Sequence, residues 1–403
     1  MSIEGPSIQP EELNPYERVI GGAVKARRLI SAHWELTYRC NERCTHCYLD
    51  VFSPSADIPD ELTTEECLRV VDQLAELNIL NITFSGGEIL ARRDFFTIAE
   101  YAHSKRFLLR LFTNGILIKP AVADRIAALH PYEVELSVYS TRPQVHDAIT
   151  RIPRSHELTL RAARLLKERD IRIQIKTPLM RENATELPAL RALAQELGAR
   201  FRRDVTITPK DTGALDPLKH RMSHAEMVAV LRDEIDPAFW LNRQMTDATR
   251  TCGIATKGIA IDPYGNIYPC IQVRTAAGNV RQQTLREIWD ASPLWEELSH
   301  LTLGELPVCR TCELRTLCLR CHGLARLESG DLRAPALVNC QAALARREVL
   351  IEKGALPPDY PIPAHLREYV QHLCAEPNQG GEPLPTNFIP LSELLPMRAQ
   401  IPV

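Results

Sequence analysis

The sequence predicts an α/β protein: a partial, TIM-like (β/α)6 barrel followed by a second, cysteine-rich domain. Between His33 and Pro209, strand-like apolar runs alternate six times with segments of helical periodicity. Six βα steps in series are typical of a parallel sheet covered by helices. Right-handed crossovers would curl six strands into an open barrel, whose functional side is the C-terminal ends of the strands. Seven of the twelve cysteines then fall between residues 252 and 353.

Each strand of the predicted barrel is followed by a helix, except the last. The strand-like runs are HWELTY, LNITFSG, LLRLFTNG, VELSVYS, IRIQIKTP and RDVTITP. The helix-like segments are TTEECLRVVDQLAEL, RRDFFTIAEYAHSK, PAVADRIAALH, HELTLRAARLLKERD and NATELPALRALAQELG. Thr63 or Thr64 is the expected N-cap of the first helix, since Glu65 and Glu66 fill its first turn.

Composition divides the chain into five segments. They are an N-terminal lead-in, the barrel, a linker, the cysteine-rich domain and a tail, at residues 1–32, 33–209, 210–251, 252–353 and 354–403. One helix is expected near Tyr16–Leu29 and another near His224–Ile235. The stretch GIAIDPYGNIYPC is typical of a hairpin, and the proline-rich tail is expected to be extended or to wrap over the surface.

Charge and hydropathy exclude several classes of protein. The 403 residues carry a net charge of -3, so no global basic field indicates nucleic acid. The start, MSIEGPSIQPEEL, lacks the basic and apolar regions of a signal peptide, and no apolar run reaches the ~20 residues of a membrane span. A cytoplasmic protein is expected. In a reducing compartment, closely spaced cysteines indicate metal ligands or redox groups rather than disulfides.

Three cysteines follow the first predicted strand at C-x3-C-x2-C spacing: Cys40, Cys44 and Cys47. Thiolates so spaced can bind three irons of a [4Fe–4S] cluster. No fourth cysteine lies nearby, so one iron would be open to a ligand from outside the protein. Zinc is the competing metal, and it usually takes four protein ligands in structural sites. His46 could serve as the fourth, although in a strained position.

The later cysteines include two C-x2-C pairs, Cys309 with Cys312 and Cys318 with Cys321, beside three isolated ones. A zinc ribbon could use the pairs, but the full set exceeds the needs of one metal. Cys67 and Cys374 have no metal-ligand spacing, and both are expected to be small buried side chains.

The segment ELTYRCNERCTHCYLD resembles the signature of the radical S-adenosylmethionine (radical SAM) superfamily, whose cysteine loop follows the first barrel strand. The resemblance implies that the open iron binds S-adenosylmethionine. One electron from the cluster then cleaves it to a 5′-deoxyadenosyl radical, which abstracts a substrate hydrogen. His46 fills the aromatic position before the last cysteine, and Tyr48 follows; packing under the loop is the alternative role for both.

Further strand ends resemble the family's cofactor-binding motifs. TFSGGE is similar to the Gly-Gly-Glu motif that holds the methionyl ammonium, which implies cofactor contacts by Gly86, Gly87 and Glu88. Two glycines also let a ligand approach the backbone closely, and the carboxylate of Glu88 suits a cation.

The third and fourth strands supply more candidates. FTNG places Thr113 and Asn114 at the functional rim. The resemblance implies that Ser137 contacts the ribose or carboxylate of S-adenosylmethionine and that Arg151 binds its carboxylate; a helix cap and a surface ion pair are the alternatives. Gln174 and Lys176, on the fifth strand, are expected to face the barrel interior, where the cofactor or an ion pair would satisfy them.

The C-terminal cysteines resemble the SPASM extension, which carries two auxiliary [4Fe–4S] clusters, and LREIWDASPLWEEL resembles the helix between its halves. The resemblance assigns the outer cluster to Cys309, Cys312, Cys318 and Cys340. It assigns the inner cluster to Cys252, Cys270 and Cys321, with no fourth cysteine. Two residues separate Cys318 from Cys321, where the family usually has three, which weakens the assignment of Cys321.

The resemblance spans roughly residues 33–350 and implies a radical SAM oxidoreductase. SPASM enzymes mostly modify ribosomally made peptides or protein side chains, and SVYSTRPQVHDAITR is similar to the peptide maturases. The alternatives are a tetrapyrrole enzyme of the haem d1 or alternative haem type, with a small-molecule substrate, and a zinc-binding protein without activity. A flavodoxin- or ferredoxin-type electron donor is implied. The lead-in is too short for a leader-recognition domain, so a separate recognition protein or the barrel itself would bind the leader. No catalytic acid or base is identified.

Overall fold

The computed structural model describes residues 21–22 and 28–375 of the chain. These residues form two compact units. The first holds residues 28–221 and 253–300, and the second holds residues 222–252 and 301–375. Most of the helix expected near Tyr16–Leu29, the side chain of Cys374 and the tail beyond residue 375 lie outside the described residues.

One sheet of nine strands forms the centre of the first unit. The strands are β1 (Ser31–Thr37), β2 (Asn81–Gly86), β3 (Leu108–Thr113), β4 (Glu133–Ser137), β5 (Ile173–Pro178), β6 (Arg200–Asp204), β7 (Gly258–Ile261), β8 (Asn266–Tyr268) and β9 (Gly278–Asn279). Their order is β6-β5-β4-β3-β2-β1-β7-β8-β9. β1 to β6 are all parallel, which confirms the parallel sheet predicted from the six strand-like runs. β7 joins β1 in parallel and forms the predicted hairpin with β8.

Helices connect the barrel strands and complete the second unit. Those of the first unit are α1 (Thr64–Glu76), α2 (Phe95–Ser104), α3 (Pro120–Ala128), α4 (Pro143–Thr150), α5 (Ser155–Lys167), α6 (Leu187–Glu196), α9 (Leu285–Ala291) and α10 (Pro293–Ser299). Those of the second are α7 (His224–Arg232), α8 (Pro237–Leu241), α11 (His322–Ser329), α12 (Leu337–Glu352) and α13 (Arg367–Ala375). Thr63 is the N-cap of α1, where it forms a reciprocal capping box with Glu66.

Two expectations about helices were wrong. The segment LREIWDASPLWEEL forms two helices, because Pro293 cannot donate the hydrogen bond that would continue α9 and instead begins α10. The other concerns the tail: Arg367–Ala375 is helical, so an extended conformation is wrong for this part, while a tail that wraps over the surface stays a prediction. Within the described part of the chain, no helix combines the length and the apolar character that crossing a membrane would need.

The two faces of the parallel sheet differ in chemistry. Side chains alternate along a strand, so residues two apart share a face. One face is apolar, and rings of Trp34, Phe84 and Phe95 contact one another there, with centroids 5.9 Å and 6.0 Å apart. The other face carries charged groups, including Glu35 on β1 and Glu135 on β4, both buried. This face of the sheet is therefore polar.

Candidate functional site

The three cysteines of the first cluster lie on one loop that follows β1. The backbone N–H of Cys40 donates to the carbonyl of Phe52 (2.8 Å), and the N–H of Phe52 donates to the carbonyl of Tyr38 (2.8 Å). Further along, the N–H of Cys47 donates to the carbonyl of Cys44 (3.1 Å). These bonds close the loop on itself, which keeps its three thiols in one neighbourhood.

Cys40 is buried, Cys44 and Cys47 are half-buried, and the three thiols are close enough to influence one another. Burial raises the pKa of all three, that of Cys47 to about 11, and the charge of Cys47 further raises the pKa of Cys40 and of Cys44. Metals bind the thiolate, so these thiols need a cationic centre among them to be charged at neutral pH. Cys44 and Cys47 also line a cavity of about 180 Å³. The arrangement fits the iron–sulfur cluster expected from the spacing.

The end of α4 supports the cysteine loop. The N–H groups of Arg43 and Thr45 donate to the carbonyls of Thr150 (3.0 Å) and Ile149 (2.9 Å). Arg151 follows in the left-handed conformation (φ 60°), is exposed, and lines the same cavity as the thiols. Within the described residues it makes no ion pair, so the alternative of a surface salt bridge has no support. Its contact with the carboxylate of S-adenosylmethionine stays a prediction.

The double glycine is required by the packing of the chain against the cysteine loop. The N–H of Gly87 donates to the carbonyl of Thr37 (2.8 Å). A Cβ atom on Gly86 would lie 2.3 Å from the Thr37 oxygen, and one on Gly87 would lie 2.3 Å from the Arg39 oxygen. Gly86 also has φ +121°, which other residues rarely adopt. The space at both positions is therefore filled by backbone, where ligand approach had been expected; cofactor contact by these glycines remains a prediction.

Glu88 is fully buried just after the end of β2, and hydrogen bonds within the protein hold its carboxylate in place. It accepts hydrogen bonds from the N–H groups of Leu90 (3.0 Å) and Asn114 (2.8 Å) and from the hydroxyl of Thr113 (2.8 Å). Burial raises the pKa of Glu88, and these donors oppose that effect. A carboxylate offers about four acceptor positions. Three donors leave capacity for a cation, which suits the predicted ammonium contact.

Asn114 connects β3 to the cysteine loop. Its Nδ2 donates to Oδ1 of Asn41 (2.8 Å), and its Oδ1 accepts from the N–H of Ile116 (3.0 Å). The side chain is therefore already engaged within the protein, and its predicted contact with the cofactor is untested. Asn41 and Thr113 hold Asn114 and Glu88 in place. In the sequence, Asn41 is only a polar residue directly after Cys40. Its contact with Asn114 could not be predicted without knowing how the strands pair.

Ser137 ends β4 beside an aromatic group that the sequence did not single out. Ser137 caps no helix, since α4 begins after Arg142, and its hydroxyl bonds to Tyr139. The Tyr139 hydroxyl lies 3.7 Å from Sγ of Cys44, and its ring meets that of His46 at 4.8 Å. His46 therefore packs under the loop, one of the two expected roles. The ribose or carboxylate contact of Ser137 stays a prediction.

A buried ion pair that the sequence did not reveal lies beneath the loop. Glu35 accepts two hydrogen bonds from Arg274, at 2.7 Å and 2.8 Å, and one each from the hydroxyls of Tyr48 (2.6 Å) and Tyr38 (3.0 Å). Burial opposes the charge of Glu35, but Arg274 and Tyr48 hold its pKa below the usual range. The partners are 239 positions apart. Tyr48 therefore has a structural contact of its own.

The polar residues expected inside the barrel do face its interior. Gln174 donates to the carboxylate of Glu135 (2.6 Å), and Nζ of Lys176 lies 3.4 Å from the other carboxylate oxygen. The Lys176 ammonium also stands 5.2 Å from the ring centre of Phe112. An interior ion pair thus satisfies both residues, and the side chain of Lys176 remains 31% exposed.

The four cysteines predicted for the outer cluster all lie in the second unit. They are Cys309, Cys312, Cys318 and Cys340. Burial raises the pKa of Cys340, and the charges of Cys318, Cys309 and Cys312 raise it further. The four thiols are thus near neighbours, as ligands of one cluster would be.

Of the three cysteines predicted for the inner cluster, two lie in the second unit. Burial raises the pKa of Cys321, and the charge of Cys252 adds to this, so these two thiols are neighbours in the second unit. Cys270 belongs to the first unit, so the complete inner set stays a prediction. Cys67 is fully buried, as expected, with Arg92 Nη2 at 3.4 Å from its sulfur. Across residues 28–371, no three His, Cys, Asp or Glu side chains converge on a single-ion site.

Comparison with known families agrees with this geometry. Residues 34–194 match the radical SAM superfamily, and residues 252–313 match SPASM, an iron-sulfur cluster-binding domain. Streptococcus suis SuiB bound to precursor peptide SuiA has a similar fold, with a TM-score of 0.61 at 14% identity over 84% of each chain. The predicted fold, a partial barrel with a SPASM domain, is confirmed.

Three relatives are similar over most of their length. Mycofactocin maturase MftC of Mycobacterium ulcerans is 30% identical over 66% of this chain and 75% of its own. PqqA peptide cyclase of Granulibacter bethesdensis is 26% identical over 81% of this chain and 91% of its own. AdoMet-dependent heme synthase of Methanosarcina barkeri is 28% identical over 76% of this chain and 94% of its own.

Proposed function

Because this chain belongs to the radical SAM superfamily and carries a SPASM domain, it is an enzyme, and we propose that it matures a ribosomally made peptide or a protein side chain by cross-linking or oxidation. The observation that carries the proposal is the match with PqqA peptide cyclase over 91% of that protein. Family membership also excludes the alternative of a zinc-binding protein without activity.

The cysteine loop is the proposed centre of the reaction. Cys40, Cys44 and Cys47 would hold a [4Fe–4S] cluster, and the cavity beside Cys44 and Cys47 would admit S-adenosylmethionine. When bound, the cluster and S-adenosylmethionine supply a 5′-deoxyadenosyl radical that abstracts hydrogen from the substrate. Glu88, held rigid by three donors, would bind the cofactor's ammonium, and Arg151 its carboxylate. The chain's own residues thus orient both ends of the amino acid.

The chamber below the loop would receive the substrate. Its wall offers a cation at Lys176 that is partly accessible, while the neighbouring Glu35 is already neutralised by Arg274. A chamber lined with fixed charges suits a polar group of the substrate better than an apolar side chain.

Two auxiliary [4Fe–4S] clusters are proposed for the C-terminal cysteines. The outer one would use Cys309, Cys312, Cys318 and Cys340, whose thiols are near neighbours. The inner one would use Cys252, Cys270 and Cys321. A flavodoxin- or ferredoxin-type protein is the proposed electron donor, and a separate protein the proposed reader of the leader peptide.

Anaerobic reconstitution with a mass-spectrometric assay tests the function. The purified enzyme, S-adenosylmethionine and dithionite are combined with short peptides encoded beside the gene, and both 5′-deoxyadenosine and the peptide mass are followed. Loss of hydrogen atoms from one peptide, in step with 5′-deoxyadenosine, supports the proposal. Peptides that stay unmodified while a tetrapyrrole is converted would overturn it.

Tetrapyrrole chemistry is the second candidate, because the heme synthase match covers 94% of that relative. The two candidates differ in what the resting protein binds. A tetrapyrrole enzyme would bind its substrate stoichiometrically with a shifted Soret band, whereas a peptide maturase would leave the tetrapyrrole spectrum unchanged and bind its precursor peptide.

A further inference from the structure

A buried arginine lies between predicted ligands of two different clusters. Arg320 directly precedes Cys321 and follows Cys318 by two positions, and it is only 6% exposed. Its Nη2 donates to the carbonyl oxygens of Leu332 (2.6 Å) and Ala334 (2.7 Å). Its Nε is buried without a hydrogen-bond partner among the described residues. The guanidinium group is thus fixed in place.

The described partners of Arg320 carry no negative charge. They are two carbonyl oxygens and one imidazole nitrogen, that of His322. A buried charge without a countercharge is strongly unfavourable. Nearby anions would resolve this, and the neighbouring thiols can provide them. Cys318 and Cys321 flank Arg320 in the chain, and the charge of Arg320 acts on both sulfurs.

Hydrogen bonds connect Arg320 to the segment that carries Cys252. The imidazole of His322 is 1% exposed and lies between Arg320 and Thr251. Its Nδ1 contacts Arg320 and the carbonyl oxygen of Leu332 (3.0 Å), and its Nε2 forms a hydrogen bond with the Thr251 hydroxyl (3.1 Å). Thr251 directly precedes Cys252. Arg320 is therefore connected to both predicted sets of thiols within the second unit.

Two more guanidinium groups support the same turn of the chain. Arg346, 5% exposed, donates to the carbonyl of Leu317 (2.9 Å), and its charge also lowers the pKa of Cys318 against the effect of burial. Arg243 donates to the carbonyl of Cys318 (3.1 Å). Both stack on Trp240, at 4.4 Å and 5.4 Å from its ring centre. Positive charge therefore surrounds the Cys318 side of the outer set.

We propose that Arg320 is the buried countercharge shared by the two auxiliary clusters, and that it raises the reduction potential of both. Reduction adds negative charge to a cluster, so a fixed positive charge nearby stabilises the reduced state. Arg320 acts through the clusters and is a positioning residue. The inference rests on the auxiliary assignment of the proposed function, which iron analysis of the same samples tests separately.

Potentiometric titration followed by electron paramagnetic resonance tests the proposal. The parent is the full chain with Cys40, Cys44 and Cys47 replaced by Ala, so that only auxiliary clusters contribute. Arg320→Gln removes the charge, and Arg320→Lys retains it. Arg326→Gln is the matched control, because Arg326 lies on α11 and is exposed. Arg346→Gln removes a charge expected to act mainly on the outer cluster.

Arg320→Gln should lower the reduction potentials of both auxiliary clusters by at least about 59 mV. For one electron this corresponds to a tenfold change in the reduction equilibrium constant. Arg320→Lys and Arg326→Gln should stay near the parent values. If Arg320→Gln binds no auxiliary iron while Arg320→Lys does, the requirement for charge is supported. Unchanged potentials in Arg320→Gln, or loss of iron in both Arg320 variants, would overturn the proposal. A parent without auxiliary iron would refute the cluster assignment instead.

Discussion

The cysteine loop of the barrel and the outer thiol set of the second unit differ in the charges that surround them. Glu88 and Glu42 face Cys40, and Glu42 also lies 3.1 Å from Sγ of Cys44. Burial raises the pKa of Glu42 to about 8, so at neutral pH this carboxyl is mostly protonated, and Glu88 is the carboxylate on which the difference between the two regions rests. Around Cys318 the buried charges are instead those of Arg346 and Arg320.

Opposite charges have opposite effects on a cluster's electrons. Carboxylates disfavour added negative charge and lower a reduction potential, whereas guanidinium groups raise it. The first environment suits a cluster that must donate an electron, and the second suits one that accepts an electron. The two regions therefore share ligand chemistry but differ in the direction of electron flow that they favour.

Removing the barrel thiols should have the largest effect. Replacing Cys40, Cys44 and Cys47 with Ala should abolish formation of 5′-deoxyadenosine. Auxiliary iron should remain, because the cysteines proposed to bind it belong to a different segment of the sequence. Chromatography of the nucleoside and iron analysis of the same sample check this. Unchanged cleavage by the triple variant would show that the loop is not the reactive site.

Removing outer thiols should separate cofactor cleavage from product formation. A variant with Cys309→Ala and Cys312→Ala should still cleave S-adenosylmethionine, provided the barrel's own cluster is intact by spectroscopy. Modification of the peptide should fall sharply, because the outer cluster can no longer exchange electrons. Turnover at the parent rate would make the outer cluster dispensable. Loss of both activities with an intact barrel cluster would show that the two regions depend on one another.

Replacing Glu88 should weaken cofactor binding. Glu88→Gln removes one charge-assisted hydrogen bond, worth about 1.5–3 kcal/mol, so affinity should fall by about one to two orders of magnitude. Calorimetry on the reconstituted enzyme measures it. Thr113→Val is the control, since it removes one donor to Glu88 but keeps the charge. Equal dissociation constants for Glu88→Gln and the parent would refute the ammonium contact.

The buried pair beneath the loop should contribute mainly to stability. Arg274→Met leaves the charge of Glu35 buried and unpaired, which costs about 3–5 kcal/mol. Arg281→Met, which breaks the more exposed pair with Glu66, should cost about 1 kcal/mol or less. Because the pKa of Glu35 is lowered, its contribution is present at neutral pH and is lost as acid protonates it. Urea unfolding measures the free energy of unfolding of each variant. Equal losses of stability in Arg274→Met and Arg281→Met would contradict the prediction.

Local patterns in the sequence predicted the barrel and its cysteine loop, because strand alternation, helix periodicity and ligand spacing are all short-range features. Longer-range contacts were missed. The pairing of Glu35 with Arg274 joins residues 239 positions apart. The role of Gly86 and Gly87 against the loop backbone required the register of β1 and β2. Arg320 is one of the two residues between Cys318 and Cys321, and its burial, which makes it informative, is visible only in the fold.

The order of the cluster potentials tests the contrast between the two regions most directly. The reconstituted parent enzyme is titrated without S-adenosylmethionine, and each signal is assigned by its loss in the Cys40, Cys44 and Cys47 triple variant or in the Cys309 and Cys312 double variant. The outer cluster should be reduced first and the barrel cluster last, at the most negative potential. A barrel cluster that is reduced before the outer one would contradict the account.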